Sequence, residues 1–420
     1  MWNWARNLQY RAKALHEPRS TEEICHIVRP CDKVRPLGTR HSFNDIADCA
    51  GGDLISLRHM DRILRLDGLD GPRPTVTVEG GITYGQLCPQ LDRHGWALHN
   101  LASLPHISVA GACATATHGS GDRNGNLATA VVGMKIVNAA GQVISATPDT
   151  VGERFNGMVV GLGTLGVVSE LTLKIEPRFD ARQEVFLNLP MPHTTDQFDQ
   201  IMAAGDSVSL FTNWRQPIFG QVWLKIRANE KEPPRRTEFF GAAPAPVRMH
   251  PLADLPADNC NEQLAINGPW HARLPHFRLD FTPSHGVELQ SEYFVPRRRA
   301  VEAIEAVYDL RAEISPLLKI SEIRTIAADK LWMSPCCGQA CAAIHFTWEQ
   351  DLAGVKAVLP KIEGRLRDLR ATPHWGKWFA MNGAELRRLY SQRLAQFQLL
   401  MDEFDPAGKF RNEFIDAIFA

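Results

Sequence analysis

The longest stretch of this chain without a formally charged side chain runs from Gly95 to Gly121. A segment of that length either crosses a bilayer or is buried in a folded protein. Pro105, three histidines and many Ser, Thr and Gly residues interrupt it, which excludes a bilayer span. Small residues let the main chain approach a bulky ligand closely, and hydroxyls and backbone N–H groups bind phosphate without cationic side chains. From the residues alone, a tightly packed loop with internally satisfied hydroxyls explains the segment equally well.

The charge balance of the chain argues against binding to polyanions through a general positive field. Its 420 residues carry 46 Lys and Arg against 47 Asp and Glu, a formal net charge of −1. This balance suggests neither nucleic acid nor a membrane surface as a partner. The 44% of hydrophobic and 22% of charged residues are typical of a folded protein with a sizeable core, and the length exceeds that of one average domain.

The nine cysteines predict reduced thiols and no metal site. They are scattered through the sequence, and no Cys-x-x-Cys pair occurs. Cys336, Cys337 and Cys341 are clustered, but a zinc site normally has two spaced pairs of ligands. The N-terminal segment MWNWARNLQYRAK lacks the apolar core of a secretory signal. The sequence therefore predicts a cytoplasmic protein.

Strand-like and helix-like segments follow one another irregularly, which favours an α+β fold over a regular βα repeat. A Ser-Thr-Glu-Glu pattern predicts a helix over residues 20–26, and two apolar runs predict a hairpin within residues 131–146. The C-terminal part predicts a helix near residues 384–404. The character of the sequence changes after Pro177, which marks a candidate domain boundary.

The segment GLGTLG at residues 161–166 formally matches the dinucleotide fingerprint G-x-G-x-x-G. That motif requires a helix that starts at its last glycine, so that the helix N-terminus faces the pyrophosphate. Here Leu171, Leu173 and Ile175 alternate with polar residues, and Pro177 closes the run. We therefore predict a strand and reject a Rossmann site. The chain also lacks a Walker loop, a His-Glu-x-x-His motif and a Gly-x-Ser-x-Gly motif.

The segment GTRHSFN at residues 38–44 follows a predicted strand and carries a glycine, a basic residue, a histidine and a serine. These residue types are those of an anion-binding loop. A lone loop histidine such as His41 is nevertheless more often solvated or simply hydrogen-bonded. The segment by itself is a weak signal of function.

Two strand-like segments and a loop near the C-terminus carry polar side chains that can share one pocket. Glu322 and Arg324 are two residues apart and lie on the same face of an extended strand, as do His345 and Thr347. Lys377 follows in a loop. A surface salt bridge beside a polar sheet face explains the same pattern.

Taken together, these segments resemble the vanillyl-alcohol-oxidase/PCMH-type flavoproteins, and within them the alditol oxidases. The resemblance covers essentially the whole chain, and eight motifs in order are far more specific than any one of them. The motifs are GTRHSFN (38–44), VEGGITYGQL (78–87), LASLPHISVAGACATATHGSG (101–121), GLGTLGVVSELTL (161–173), SEIRTIAAD (321–329), HFTW (345–348), HWGK (374–377) and FDPAGKF (404–410).

The resemblance implies a covalently bound FAD. In such enzymes the histidine that corresponds to His41 carries the flavin through a bond to the C8-methyl group of its isoalloxazine ring. Family members often show GSGHS and ATGTHG where this chain has GTRHS and ATATHG. The remaining cofactor-binding positions implied by the resemblance are Gly38, Thr39, Arg40 and Ser42 around the pyrophosphate, Ser103, Ser108, Gly111, Thr115, Ala116, Thr117 and His118 along the flavin and its phosphates, and Val168 beside the adenosine part.

The resemblance also implies a substrate and a reaction. Alditol oxidases oxidise the terminal C1 hydroxyl of polyols such as xylitol and sorbitol, with hydride transfer to flavin N5 and reduction of oxygen to hydrogen peroxide. Lys377 and Arg324 are suited to stabilise the alkoxide that develops at C1. Either His345, whose reference pKa is about 6.5, or a water molecule takes the hydroxyl proton. The residues that match the family's polyol-binding positions are Ser103, Glu322, Arg324, Thr347 and Lys377.

We therefore predict an α+β protein with a PCMH-type FAD-binding domain over residues 1–177 and a substrate-binding cap domain over residues 178–374. Residues 375–420 are expected to return to the FAD-binding domain, with the pocket between the two. The expected partners are a polyol and oxygen, and the expected state is a monomer without nucleic-acid or membrane partners.

Two rival hypotheses stay open at this point. An aldonolactone oxidase or dehydrogenase shares the covalent histidine, the Glu-x-Arg motif and the His-Trp-x-Lys motif, although SLPHISVAG and HFTW favour the alditol group. A non-catalytic binding module with the same fold is a hypothesis from a different class. The presence of His41, Ser103, Glu322, Arg324 and Lys377 together argues against it.

Overall fold

The computed structural model describes residues 1–228, 235–281 and 288–419. Residues 229–234 and 282–287, which belong to the predicted cap domain, and residue 420, the last of the predicted C-terminal segment, lie outside the described residues. Helices and strands are interspersed along the described chain, and the predicted α+β class is confirmed.

Two sheets occupy the N-terminal part of the chain. A three-stranded parallel sheet has the order Ala14–His16, Asp53–Ser56, Val34–Leu37. A five-stranded antiparallel sheet has the order Ile63–Asp67, Thr75–Glu79, Val167–Lys174, Val131–Val137, Val143–Ala146. The pairing of its last two strands confirms the predicted hairpin. A short pair joins Trp96–Ala97 to Glu176–Pro177.

A nine-stranded antiparallel sheet occupies the middle of the chain. Its central strands are Leu318–Ile326 and Cys341–Trp348, whose side chains are almost all buried because both faces of the sheet are covered. Gly268–Pro269 pairs with the strand Asp180–Pro190 at one side. The other eight strands follow the order Ala243–Pro244, Asp180–Pro190, Ile218–Arg227, Ser207–Thr212, Leu318–Ile326, Cys341–Trp348, Leu289–Pro296, Thr372–Pro373.

Some of the helices begin at a side-chain cap, as at Ser20, Thr83 and Asn382. Ser20 accepts a hydrogen bond from the Glu23 backbone N–H, and the predicted first helix is confirmed over Thr21–Val28. The predicted single helix near 384–404 is wrong, because Ser391, at φ 50°, separates two helices. The α-helices of the described chain are Thr21–Val28, Tyr84–Arg93, Val109–Ala114, Pro148–Val151, Phe155–Val159, Met191–Met202, Ala300–Asp309, Arg311–Ile314, Leu352–Leu366, Gly383–Tyr390, Gln392–Phe404 and Glu413–Phe419.

The segment GLGTLG leads into a strand, as predicted, and not into a helix. Gly166 has a φ of 132°, which favours glycine, and the strand Val167–Lys174 follows it directly. An added Cβ at Gly166 would lie 2.2 Å from the carbonyl oxygen of Val137 on the neighbouring strand. The glycine therefore serves close strand packing, and the motif does not place a helix N-terminus against a pyrophosphate.

The end of the chain contacts its beginning. Phe410 is fully buried in a cluster with Ile24 and Val34, and the Arg35 guanidinium donates to the Phe410 carbonyl oxygen. The Asn412 amide donates to the carbonyl oxygen of Asp48 over 2.8 Å. These contacts bring the C-terminal segment against the N-terminal part of the chain, while the three predicted segments and their two boundaries stay a prediction.

The uncharged segment 95–121 contains the short strand Trp96–Ala97, the short helix Val109–Ala114 and otherwise irregular backbone. Within residues 1–228, 235–281 and 288–419, no helix combines the length and the apolar character needed to cross a membrane. Cys113 and Ala116 of this segment are buried in the largest apolar cluster. The segment is thus part of the folded interior.

Candidate active site

A cavity of about 1020 Å³ lies between the N-terminal loops and the nine-stranded sheet. Loops around residues 38–42, 102–118 and 161–168 line one side of it, and strands of the sheet line the other. Ala116 is 1% exposed and does not line the cavity. The predicted site residues that do line it are Gly38, Thr39, Arg40, His41, Ser42, Ser103, Ser108, Gly111, Thr115, Thr117, His118, Val168, Glu322, Arg324, His345, Thr347 and Lys377.

His41 lines the cavity, and one of its two ring nitrogens has no hydrogen-bond partner among the described residues. Its Nδ1 lies 3.1 Å from Thr39 Oγ1, its ring stacks on Trp4, and its buried Nε2 has no hydrogen-bond partner among the described residues. Burial lowers the pKa of His41 to about 4, so the imidazole is neutral at pH 7. A neutral imidazole with an unpaired nitrogen can form a bond to a ligand.

Two residues near the cavity adopt a left-handed backbone conformation. Arg40 has a φ of 67° and Ala116 a φ of 53°. These are the two positions at which family members often carry glycine, which takes this conformation without steric cost. The departures GTRHS and ATATHG therefore leave the loop geometry in place, with backbone strain at Arg40 and Ala116.

Glycines allow the loop 38–42 and the helix Val109–Ala114 to meet. A Cβ added at Gly38 or at Gly111 would lie 2.8 Å from Ser108 Oγ in both cases, and the Ser108 N–H donates to Thr39 Oγ1 over 3.2 Å. Gly81, on the neighbouring wall, would place a Cβ 1.7 Å from the Leu57 carbonyl oxygen. This side of the cavity is therefore a narrow cradle of main chain and hydroxyls, which suits a phosphate-bearing aromatic cofactor such as FAD.

The loop 38–44 also holds the loop that carries Lys377. The Asn44 side-chain amide donates to the carbonyl oxygens of Trp375 and Lys377 over 2.8 Å each, and the Phe43 N–H donates to the Gly376 carbonyl oxygen over 2.8 Å. Two motifs more than 300 residues apart in sequence thus form one unit.

On the sheet side, strand register aligns three ionisable residues in a row. His345 on the central strand pairs with Glu292 on one neighbouring strand and with Glu322 on the other. Because directly paired residues point to the same face of a sheet, all three side chains face the cavity.

Glu292 is the centre of this cluster, and the sequence analysis missed it. It is 1% exposed, forms ion pairs with Lys377 Nζ and with Arg324 Nη2 at 3.7 Å, and lies within hydrogen-bond distance of His118 Nε2 at 3.0 Å. Burial alone would raise the pKa of Glu292, but the Lys377 ammonium group holds it well below its usual value. Glu292 is therefore an ionised carboxylate that neutralises the cations around it.

Lys377 and His345 contact each other at the inner end of the cavity. Lys377 Nζ lies 2.8 Å from His345 Nδ1, and His345 Nε2 lies 3.0 Å from Thr347 Oγ1. Burial and then the Lys377 charge lower the pKa of His345 to about 4. Burial also lowers the pKa of Lys377, although Glu292 opposes that shift. At neutral pH the pair is a neutral imidazole beside an ammonium donor.

Arg324 joins the two sides of the cavity. Its Nη1 donates to Ser103 Oγ over 3.3 Å, its Nη2 faces Glu292, and its Nε forms an ion pair of 3.3 Å with Glu322. Arg324 and Lys377 place two cations side by side in a buried cavity. Such a pair can stabilise negative charge on an oxygen atom, and the neutral His345 can accept a proton.

Fold and cavity together define a flavoprotein of the vanillyl-alcohol-oxidase/PCMH type. The family model described as an FAD binding domain matches residues 12–147, and the model described as D-arabinono-1,4-lactone oxidase matches residues 287–418. A solved cholesterol oxidase from B. sterolicum superimposes with a TM-score of 0.81 at 14% identity and covers 100% of this chain and 96% of its own. That likeness concerns the fold alone.

An alditol oxidase from a Streptomyces species is 46% identical over 98% of this chain and 97% of its own length. An L-gulono-1,4-lactone dehydrogenase from Mycobacterium tuberculosis is 27% identical over the same share of both chains. The chain belongs to the alditol oxidase family of FAD-dependent oxidoreductases.

Proposed function

We propose that this protein oxidises the terminal C1 hydroxyl of alditols such as xylitol and sorbitol to the aldose, with FAD as cofactor and oxygen as acceptor. The observation that carries the proposal is the full-length similarity to an alditol oxidase, in a chain whose cavity joins a glycine-rich cradle to the Lys377, Arg324 and His345 cluster. Reduction of oxygen to hydrogen peroxide is part of the proposal. The monomeric state and the cytoplasmic location stay predictions of the sequence.

The proposed cofactor attachment is a covalent bond at His41. Support comes from the neutral imidazole, whose Nε2 is buried and finds no partner in the described chain. The missing Cβ atoms at Gly38 and Gly111 let the main chain pack closely against the Ser108 hydroxyl on this wall of the cavity. Bound in this cradle, FAD would supply a hydride acceptor and a group that oxygen can reoxidise.

In the proposed reaction the protein orients the polyol and moves one proton. Lys377 and Arg324 stabilise the alkoxide that forms when the C1 hydroxyl loses its proton. His345 accepts that proton at Nδ1, which requires the substrate hydroxyl to replace Lys377 as the donor to this atom. Thr347 then keeps the ring in place through Nε2. Glu292 stays ionised and balances the added positive charge.

Recognition of an uncharged polyol needs paired donors and acceptors along an extended chain. Glu322 supplies an acceptor, Ser103 and Thr347 supply hydroxyls, and Arg324 supplies donors, all on the cavity wall. A lactone offers fewer hydroxyl donors and a carbonyl acceptor instead. The acceptor groups Glu322 and Thr347 therefore favour a polyol.

A lactone is the second candidate substrate, because the family model that matches residues 287–418 is described as D-arabinono-1,4-lactone oxidase. Turnover of xylitol and sorbitol compared with that of gulono- and galactono-lactones, with peroxide measured in parallel, separates the two. We expect polyol-dependent peroxide formation and slow or absent lactone turnover. The reverse preference would overturn the alditol assignment.

Acid precipitation tests the covalent bond. We expect the yellow colour to stay in the pellet of the wild-type protein and to be absent from the pellet of His41→Ala. Flavin that washes out of the precipitated wild type would contradict attachment at His41. A purified protein without flavin and without polyol-dependent peroxide would instead favour the non-catalytic binding module.

A further inference from the structure

Lys225 is a lysine that the proposed reaction does not use, yet it is almost completely buried. It lies on the strand Ile218–Arg227 and is 1% exposed. Its Nζ contacts three acceptors: the carbonyl oxygen of Leu274, the carbonyl oxygen of Pro275 at 3.0 Å and His276 Nδ1 at 3.0 Å. An ammonium group has three N–H donors and no acceptor, so this environment matches the charged form of Lys225.

The contact with Lys225 determines which nitrogen of His276 carries the proton. Because the ammonium donates to Nδ1, that atom bears the lone pair and the proton is on Nε2. Nε2 lies 2.9 Å from Glu322 Oε1, so its N–H donates to the carboxylate. The ring is held edge-on between Phe211 and Trp223, with centroids 5.7 and 5.0 Å away. Its orientation is therefore fixed as well as its tautomer.

The backbone around His276 holds a second group of the cavity. The N–H groups of His276 and Phe277 both donate to the Ser103 carbonyl oxygen, over 3.0 and 3.2 Å. The Ser103 hydroxyl accepts from Arg324, and Arg324 pairs with Glu322. His276, Ser103, Arg324 and Glu322 thus form a closed ring of contacts, and Lys225 supports it from behind.

The charges in this ring are set by burial and by each other. Burial lowers the pKa of Lys225 to about 7, although Glu322 opposes the shift. Burial and then Lys225 lower the pKa of His276 to about 4, which keeps the ring neutral. A buried ammonium is costly, and an apolar side chain of similar volume would avoid that cost. What the lysine provides, and an apolar residue does not, is a donor that fixes His276.

We propose that Lys225 and His276 are positioning residues for substrate binding: Lys225 fixes His276 as the Nε2–H tautomer, and His276 holds Glu322 and Ser103 in the geometry that binds the polyol hydroxyls. The proposal deepens the proposed function and rests on it for the identity of the ligand. The hydrogen-bond arrangement of Lys225, His276 and Glu322 does not depend on that identity.

The tautomer is measurable without any substrate. Holoprotein labelled with ¹⁵N-histidine, with the His276 signal assigned by its loss in His276→Gln, is expected to show a protonated Nε2 and an unprotonated Nδ1. Lys225→Met is expected to shift the Nδ1 signal, because that nitrogen loses its ammonium donor, while Nε2–H still donates to Glu322. A wild-type His276 protonated on Nδ1, or a signal that Lys225→Met leaves unchanged, would overturn the proposal even if polyols are not the substrate.

Steady-state kinetics tests the positioning role. We expect Lys225→Met to raise KM for xylitol at least tenfold while kcat changes less than threefold. Lys225→Gln keeps one N–H donor for His276 and is expected to restore KM to within threefold of the wild type, so this variant decides the matter if Lys225→Met does not fold. The matched control is Lys135→Met, a half-exposed lysine that pairs with Glu170 and does not line the cavity, which should leave both constants unchanged.

A double-mutant cycle shows whether Lys225 acts through Glu322. If it does, Lys225→Met adds less than twofold to the effect of Glu322→Gln. If the effects of Lys225→Met and Glu322→Gln on KM multiply in the double variant, the two residues act independently and the proposal is wrong. An equal rise in KM in Lys225→Met and Lys225→Gln would also contradict it. Failure of the wild type to oxidise any polyol would refute the proposed function alone, because the histidine spectrum still decides the tautomer.

Discussion

The two sides of the cavity are built by different physical means. On the N-terminal side, glycines, hydroxyls and backbone groups form the wall, and the cations there, Arg35 and Arg40, donate to main-chain carbonyl oxygens. On the sheet side, ionised side chains form the wall, with Glu292 at the centre of a buried network. Replacing a glycine by alanine should therefore disturb the N-terminal side of the cavity, and removing a charged side chain should disturb the sheet side.

This difference explains how a chain with a net charge of −1 can hold an anionic cofactor and stabilise an alkoxide in one cavity. On the sheet side the cations Lys377 and Arg324 are both paired with the carboxylate of Glu292. The cofactor cradle relies on main-chain donors, which add nothing to the charge count.

The largest effect is expected from Lys377→Ala. The substitution removes a cation proposed to stabilise the alkoxide and leaves Glu292 with fewer partners. We expect kcat/KM for xylitol to fall by about 100- to 1000-fold, comparable with the loss of one oxyanion donor, or about 2.7–4 kcal/mol. Flavin absorbance per chain should stay at the wild-type value, since the cradle is on the other side. Lys135→Ala is the matched control, and an unchanged kcat/KM in Lys377→Ala would remove Lys377 from the mechanism.

Gly81→Ala tests the backbone-built side. Its Cβ would lie 1.7 Å from the carbonyl oxygen and 2.5 Å from the carbonyl carbon of Leu57, so main chain must move. We expect a loss of stability of about 3 kcal/mol in urea unfolding and a reduced flavin content. Gly71→Ala, whose Cβ would lie 3.4 Å from its nearest neighbour, is the control and should change neither. A fully flavinylated, stable Gly81→Ala protein would show that the cradle is not rigid.

Sequence patterns predicted the two sides unequally. The cradle residues fall in two local segments, so GTRHSFN and the uncharged segment 95–121 were candidates for a ligand site, although neither was decisive without the resemblance. On the sheet side, the i, i+2 spacing in Glu322-Ile323-Arg324 and His345-Phe346-Thr347 placed each pair on one strand face. The α+β class followed from the irregular succession of elements.

Glu292, Lys225 and His276 were missed because nothing local distinguishes them. Glu292 is one charged residue in an apolar strand, and only its register with His345 brings it to the cavity. The Lys225 side chain is buried because other parts of the chain cover its face of the sheet, and local sequence does not show this. His276 lies in an irregular segment. Long-range contacts, which for Glu292 and Lys225 are strand pairings, place all three, and such contacts leave no periodic signal in the sequence.

A smaller effect is expected from Ala116→Gly. Ala116 has a φ of 53°, which costs an L-residue about 1–2 kcal/mol, while a glycine costs about 0.5–1 kcal/mol more backbone entropy on folding and gives up a buried methyl group worth about 0.8 kcal/mol. These contributions nearly cancel, so the urea midpoint should stay close to that of the wild type. Ala114→Gly, at the end of the helix Val109–Ala114, is the control and should destabilise. Destabilisation by both would show that the left-handed turn carries no strain.

The smallest effect is expected from lowering the pH, because the ionisable side chains on the sheet side are buried. Burial and Lys377 lower the pKa of His345 to about 4, so the neutral imidazole predominates from pH 7 down to pH 5. If His345 is the base, kcat/KM for xylitol should fall less than about twofold over that range. With the reference pKa of about 6.5, kcat/KM would fall about 25-fold over the same range, since only the neutral form of the imidazole accepts a proton. The contrary result is a pH profile in which kcat/KM falls below a pKa near 6.5 and in which His345→Gln abolishes that fall. It would mean that water reaches the imidazole, and that the ionisable side chains on the sheet side are not shielded from solvent.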